Sequence, residues 1–187
     1  MLARQPAGAL RLANPIGALA DQVLHVLLRF ARNAREREVD VDELLRQLHQ
    51  RPEVGKLARR VARRFADAGY HAIAPALFHR TGSPELGYDD FSKVMPHMQA
   101  LTDEKLLADV DAAITHLTAA GWGTPQIGIV GFCMGGRVTF LVATARPLGA
   151  AVGFYGGGIV TSRFPQFPSL VDRSGDLKAP WLGLFGD

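Results

Sequence analysis

The chain of 187 residues is 48% hydrophobic, which is enough for one domain with a sizeable core and short for two. Its single cysteine excludes an internal disulfide and a cysteine-rich metal site, and is typical of a reducing compartment. No apolar run reaches the roughly 18 residues that a membrane-spanning helix requires, so we expect a cytoplasmic protein that does not enter a membrane.

The net charge of +3 is distributed unevenly along the chain. Residues 1–64 hold 13 of the 21 lysines and arginines against 7 acidic residues, whereas the remainder is acidic on balance. The arginines at 59, 60, 63 and 64 could form a basic helix face for nucleic acid. Neither interleaved aromatic residues nor a nucleic-acid-binding motif accompanies them. A solvated helix face is therefore the preferred interpretation, and we expect no nucleic-acid partner.

Residues 1–50 contain two stretches with the apolar pattern of an amphipathic helix. Apolar residues recur at helical spacing within Ala18–Ala34 and again within Val41–Gln50, which predicts two helices. We see no β-branched run that would form a strand before Arg51. We therefore interpret residues 1–50 as a helical N-terminal segment of uncertain origin, which precedes an α/β domain at residues 51–187.

Helical and extended patterns alternate in the first part of this domain. Apolar spacings of three and four predict a helix over residues 54–68, closed by a glycine. A short strand follows at His71–Ala74, and residues 76–88 form a loop rich in Gly and Pro. Thr102 and two acidic residues then open an amphipathic helix.

The alternation continues to the end of the chain. A buried strand at 127–130 leads to a helix at Met134–Ala145, a strand at Ala150–Phe154, a glycine-rich loop at Gly156–Gly158 and a last strand at Trp181–Phe185. This order predicts an α/β fold in which helices cover both faces of a parallel sheet. In such folds ligands bind at the carboxyl ends of the strands.

The run from Gly131 to Gly135 has the form of a nucleophile elbow with Cys133 at its apex. Such an elbow needs small residues two before and two after the nucleophile, because strand and helix nearly touch. Cys133 would also lie at a helix N-terminus, where a thiol pKa of about 8.5 can fall by a unit or more. The alternatives are a cysteine that only fills the core and a dinucleotide-binding turn, whose G-x-G-x-x-G spacing is not matched.

Together with this elbow, several runs in order resemble a known family: Ala58–Tyr70, Ala74–Gly82, Gly128–Gly136, Phe154–Gly156 and Leu184–Asp187. They are similar to the dienelactone hydrolase family, the cysteine branch of the α/β-hydrolase fold, also called carboxymethylenebutenolidases. The resemblance covers residues 51–187. Its most specific part is Cys133, since most proteins with this fold use serine at that position.

The resemblance implies a hydrolase of lactones or small carboxylic esters that forms a thiol-ester intermediate. Cys133 would be the nucleophile, and the backbone N–H of Met134 would supply half of the oxyanion hole. Arg80 matches a family arginine that pairs with the substrate carboxylate, whereas an ordinary solvated loop is the alternative for Arg80 and His79. The implied partner is a small lactone or ester, with no metal and no cofactor. The oligomeric state is not indicated.

The sequence departs from the family at both ends. In this fold the general-base histidine follows the nucleophile, whereas all six histidines here precede Cys133. Asp187 falls just short of the position of the family's acid, and the family's first strands have no match in residues 1–50. We therefore expect an α/β-hydrolase-like sheet that is incomplete at both ends, in a fragment or frame-disrupted chain with impaired turnover.

Two other functions stay open at this point. The missing histidine and the helical N-terminal segment would suit a non-catalytic α/β-hydrolase-like scaffold or interaction protein. A thiolate at a helix N-terminus also oxidises readily, which would suit a redox sensor, although the chain has no second cysteine to resolve a sulfenic acid.

Overall fold

The computed structural model describes residues 24–29, 56–82 and 91–186. The helix predicted at Val41–Gln50 lies outside these ranges. Short 3-10 turns occur at His79–Thr81, Phe91–Lys93, Thr124–Gln126 and Val171–Asp176. The helices and strands are, in chain order, β1 (Leu24–Arg29), α1 (Lys56–Asp67), β2 (Ala72–Ile73), α2 (Met95–Gln99), α3 (Asp103–Ala119), β3 (Ile127–Phe132), α4 (Met134–Ala145), β4 (Ala150–Phe154) and β5 (Trp181–Leu184).

The described strands form one five-stranded sheet in the order β2-β1-β3-β4-β5. Strands β3, β4 and β5 are parallel to one another, as the alternation of strands and helices predicts. In this register Gly128 lies opposite Ala150, and Phe132 lies opposite Phe154. Helix α4 connects β3 to β4, which is the usual crossover between parallel neighbours. The carboxyl ends of these three strands therefore meet at one edge of the sheet.

Strand β1 corrects the helix predicted over Ala18–Ala34. Residues Leu24–Arg29 form a six-residue strand that runs antiparallel to both β3 and β2. The apolar residues of this stretch satisfy a helical stripe and a strand equally well, so their spacing does not decide between the two. As a strand, this segment forms hydrogen bonds with the backbone N–H and C=O groups on the edge of β3. A helix in the same place would leave those groups without partners. The prediction that no strand precedes Arg51 is wrong for the same reason.

Helices pack on both faces of the sheet, as predicted. Successive residues of a strand point to opposite faces. Ile127 and Ile129 of β3 belong to the main core with residues of α3 and α4, whereas Val130 and Phe132 pack against Ala62 of α1. None of the helices within the described ranges is long and apolar enough to cross a bilayer.

Helix α3 begins where the sequence predicts. The side-chain oxygen of Thr102, the N-cap residue, accepts a hydrogen bond from the backbone N–H of Lys105 at 3.3 Å. Asp103 and Glu104 lie in the first turn, where negative charge interacts favourably with the helix dipole. Every third or fourth residue after them is buried, and this stripe faces α4 and the sheet: Leu106, Val110, Ala113 and Leu117.

Candidate active site at the carboxyl edge of the sheet

Cys133 lies at a sharp turn between β3 and α4. Its backbone has φ 51° and ψ −114°, a conformation that residues with a side chain rarely adopt. The turn is held by the backbone, because the N–H of Cys133 donates to the carbonyl of Phe154 at 2.9 Å. The carbonyl of Cys133 in turn accepts a hydrogen bond from the N–H of Arg137 at 3.2 Å. The strained elbow predicted from the sequence is thus present.

Glycines at this turn allow strand and helix to touch. A Cβ on Gly131 would lie 2.1 Å from the carbonyl oxygen of Gly135. A Cβ on Gly136 would lie 2.8 Å from the carbonyl oxygen of Phe154. Both distances are far below an ordinary van der Waals contact, and in both cases the opposing atom belongs to the backbone. The close approach of α4 to β3 and β4 therefore requires glycine at both positions.

The thiol of Cys133 is partly buried. Burial raises its pKa above the ordinary value, because the thiolate loses hydration. The backbone N–H of Met134, which is hydrogen-bonded to the sulfur, and the positive charge of Arg163 both act in the opposite direction without reversing the shift. The expectation that a helix N-terminus lowers this pKa is therefore wrong, because the loss of hydration outweighs the local dipole.

We expect the alkylation of Cys133 to accelerate with pH through a midpoint above the ordinary cysteine pKa of about 8.5. Only the thiolate reacts, and a raised pKa means that the neutral thiol predominates at neutral pH. The rate of iodoacetamide labelling can be followed across this range by intact mass, since Cys133 is the only thiol of the chain. A rate that levels off below the midpoint of a cysteine peptide measured in parallel would contradict the prediction.

Tyr155 lies close to the same sulfur. It follows β4 directly, has φ 40°, and places its ring 6.3 Å from that of Phe132. Burial raises the pKa of the phenol, and the charge of Cys133 raises it further. The hydroxyl is therefore protonated at neutral pH. From the sequence, Tyr155 is marked only by its position directly after the strand next to the elbow, where ligands bind in folds of this class.

Arg163 is a second residue that interacts with Cys133 and that the sequence did not predict. It lies exposed on the loop that follows β4. Its guanidinium packs against Gly157, where a Cβ would lie 3.6 Å from Cζ and 3.7 Å from Nε and Nη1. No pattern in the sequence marks this arginine, because the loop that carries it has neither helical nor strand periodicity.

Arg80 and His79 share one partner on helix α3. Nη1 and Nη2 of Arg80 donate to the two carboxylate oxygens of Asp109 at 2.8 and 2.7 Å. Nε2 of His79 lies 3.1 Å from the same carboxylate. The hydrogen bonds that Arg80 donates to the carboxylate of Asp109 hold the pKa of Arg80 above its ordinary value. Both residues are exposed to solvent, as in the alternative of an ordinary loop, and the guanidinium fork predicted to bind substrate is paired with Asp109 in this structure.

Neither a histidine nor a carboxylate hydrogen-bonds to the sulfur of Cys133 within the part of the chain that the structure covers. His79 contacts Asp109, and Nδ1 of His97 lies 2.7 Å from the hydroxyl oxygen of Thr81. Asp187, considered as a substitute acid, lies outside the described residues. Likewise, the described His, Cys, Asp and Glu side chains form no group of three that could hold a metal ion.

The family model described as "Dienelactone hydrolase family" matches residues 54–187. A Methylorubrum extorquens protein named "Putative carboxymethylenebutenolidase" is 38% identical over 130 residues, which are 67% of this chain and 44% of that protein. A Salmonella typhimurium protein with the same name is 39% identical over 135 residues, or 68% of this chain and 48% of that protein.

A solved structure, described as "Putative Dienelactone Hydrolase" from Klebsiella pneumoniae, superposes with a TM-score of 0.61 at 33% identity. The superposition covers 70% of this chain and 55% of that one. The chain thus spans about half the length of the relatives that it matches. The family model includes the elbow around Cys133 and the strands that carry it. The chain belongs to the dienelactone hydrolase family.

Proposed function

We propose that this chain carries the nucleophilic part of a hydrolase that opens lactones or cleaves small carboxylic esters. The observation that supports this most is the backbone of Cys133, strained at φ 51° above the start of α4. Strain of this kind costs about 1–3 kcal/mol and persists only where the surrounding structure enforces it. A cysteine that merely filled the core would need neither the strain nor the two glycine contacts.

The proposed reaction begins with attack of the Cys133 thiolate on the substrate carbonyl carbon. A carbon–sulfur bond forms, and the carbonyl electron pair moves to oxygen. The backbone N–H of Met134, now directed at the sulfur, would donate to that oxyanion. One such donor is typically worth about 3 kcal/mol in the transition state. Collapse of the tetrahedral intermediate breaks the bond from the carbonyl carbon to the ring or ester oxygen, which takes up a proton from water. A thiol ester remains, and water hydrolyses it to the acid and the free thiol.

We propose that the first half of this reaction outpaces the second in the chain as it stands. Hydrolysis of the thiol ester needs a base that removes a proton from water, and positioned acid–base groups typically contribute 10²–10⁴-fold. Among the described groups that interact with Cys133, the N–H of Met134 and Arg163 are not bases, and the phenol of Tyr155 is protonated at neutral pH. The acyl group should therefore accumulate on sulfur. An unpaired reactive thiol also suits a reducing compartment, so the proposal includes a cytoplasmic location.

Labelling with 4-nitrophenyl acetate tests the proposal. We expect one acetyl group per chain, mapped to Cys133 by peptide mass spectrometry and absent from Cys133→Ala. The rate should exceed that of a cysteine peptide at the same thiolate concentration by about 10²-fold, the effect of one oxyanion donor. A folded protein whose Cys133 is acetylated no faster than the peptide would sink the proposal and leave a non-catalytic scaffold.

A further inference from the structure

The side chain of Thr139, in the second turn of α4, is completely buried. Its hydroxyl donates to the backbone carbonyl of Gly136 at 2.7 Å. The same hydroxyl accepts a hydrogen bond from Nε1 of Trp181 at 3.1 Å. A buried hydroxyl is stable only when it is hydrogen-bonded, and here both its donor and its acceptor capacity are used. Thr139 therefore joins the start of α4 to strand β5.

The same side chain also contacts the other two parallel strands. A Cβ on Gly131 of β3 would lie 2.9 Å from Cγ2 of Thr139. A Cβ on Gly153 of β4 would lie 2.8 Å from Oγ1 of Thr139. Glycine at these two positions leaves the space that the threonine fills. One side chain thus touches β3, β4 and β5 just below the turn that carries Cys133.

These contacts continue to the backbone of Cys133. The residue that accepts the hydrogen bond of Thr139, Gly136, packs against the carbonyl of Phe154, because a Cβ there would lie 2.8 Å from that oxygen. The carbonyl of Phe154 is the one that accepts the N–H of Cys133 at 2.9 Å. The first turn of α4 and the anchor of the elbow are therefore fixed to each other, with Thr139 behind them.

We propose that Thr139 is a positioning residue for Cys133, which holds the elbow in the conformation that directs the N–H of Met134 at the oxyanion. A donor of this kind stabilises developing charge only if it is fixed before the reaction begins, so a small displacement lowers the rate of acyl transfer. The hydroxyl of Thr139 does not touch the substrate and acts through the backbone alone. The inference rests on the proposed function, since an oxyanion forms only when sulfur attacks a carbonyl.

Two reactions of the same sulfur separate positioning from reactivity. With 4-nitrophenyl acetate a carbon–sulfur bond forms at the carbonyl carbon, an oxyanion develops, and 4-nitrophenolate leaves. With iodoacetamide the sulfur forms a bond to the CH₂ carbon while iodide leaves, and no oxyanion develops. Both reactions consume the thiolate, so the ratio of their rate constants cancels the thiolate fraction. The ratio of acetylation to alkylation therefore reports on the oxyanion donor.

We expect Thr139→Val to lower this ratio by about tenfold, a part of the roughly 10²-fold effect of one oxyanion donor. Thr139→Ala should give the same fall and fits the site even if the added methyl of valine does not. Thr139→Ser keeps the hydroxyl and should keep the ratio of wild type. Circular dichroism establishes that each variant is folded.

Thr144 supplies the matched control. Its side chain is also buried, and its hydroxyl donates to the carbonyl of Leu141 at 2.8 Å, three residues back in the same helix. It lies at the end of α4 that is remote from Cys133. Thr144→Val therefore removes an equivalent hydrogen bond and should leave the ratio unchanged.

An unchanged ratio in folded Thr139→Val and Thr139→Ala would overturn the inference. An equal fall in Thr144→Val, or a fall in Thr139→Ser as large as in Thr139→Ala, would overturn it as well. Wild type decides between the two proposals. If wild type is acetylated no faster than a cysteine peptide, then the hydrolase proposal fails and the positioning role fails with it. If wild type is acetylated faster and the Thr139 variants keep its ratio, then only the positioning role fails.

Discussion

Replacing Gly131 by alanine is expected to destabilise the folded protein by at least about 3 kcal/mol, the upper end of the usual cost of overpacking. The new Cβ would lie 2.1 Å from the carbonyl oxygen of Gly135 and 2.9 Å from Cγ2 of Thr139. The first of these atoms belongs to the backbone of α4, so no side-chain rotation relieves the clash. The helix must move away from β3, and the turn at Cys133 must open with it.

Urea unfolding followed by circular dichroism measures this cost. The matched control is Gly123→Ala, where the new Cβ would lie 3.6 Å from its nearest neighbours, an ordinary contact. That substitution should change the free energy of unfolding by no more than about 0.5 kcal/mol, as surface substitutions usually do. Equal stability of the two variants would mean that strand and helix are not in contact at the elbow.

The elements around the elbow could be predicted from the sequence because each is encoded locally. The structure confirms helix Met134–Ala145 and strand Ala150–Phe154 at the predicted residues. At the start of this helix, the spacing of Gly131 and Gly135 on either side of Cys133 indicates a backbone contact within five residues of sequence. Such a contact needs no knowledge of distant parts of the chain.

Strand β1 could not be predicted in this way. Its residues Leu24–Arg29 fit a helix or a strand, and the choice depends on β2 and β3, which lie far away in the chain. A pattern that satisfies both periods carries no information about the partner that will pair with it. Residues Leu24–Arg29 form a strand because they pair with the edge of β3. That edge is present only after the sheet has formed, so the local sequence does not reveal it.

The pairing of side chains could not be predicted from the sequence for a similar reason. Arg80 matched a family position, but its fork is taken by Asp109, a residue on another element. The pKa of Cys133 depends on how much of the sulfur is covered by the fold, which outweighs the helix terminus that the sequence does reveal. A sequence thus indicates which residue types lie near a turn, whereas the occupancy and the hydration of each group follow from tertiary packing.

The ion pair between Arg137 and Asp103 is expected to give the second large effect. Arg137 is 2% exposed and donates to the two carboxylate oxygens of Asp103 at 2.6 and 3.1 Å. It also donates to the carbonyl of Pro168 at 2.8 Å and lies 4.9 Å from the ring centroid of Phe167. One buried guanidinium thus joins the first turns of α3 and α4 to the loop that carries Arg163.

Asp103→Asn should destabilise the protein by about 3–5 kcal/mol, because it leaves a buried positive charge without its counterion. Arg137→Met in the same chain should recover much of this loss, since removing both charges of a buried pair is often close to neutral. The free energies of unfolding of the two single variants and the double variant give the coupling energy of the pair. A double variant whose loss equals the sum of the single losses would contradict this account.

The pair between Arg146 and Asp111 supplies the control for this prediction. It joins α3 to the C-cap residue of α4 through two hydrogen bonds, which Nε and Nη2 of Arg146 donate at 2.6 and 2.7 Å, but its side chains are 36% and 41% exposed. Asp111→Asn should therefore cost no more than about 1 kcal/mol, and the cost should shrink in high salt. Equal costs for Asp103→Asn and Asp111→Asn would show that burial does not set the strength of these pairs. If the costs differ as expected, then burial decides how much each pair contributes to the free energy of unfolding.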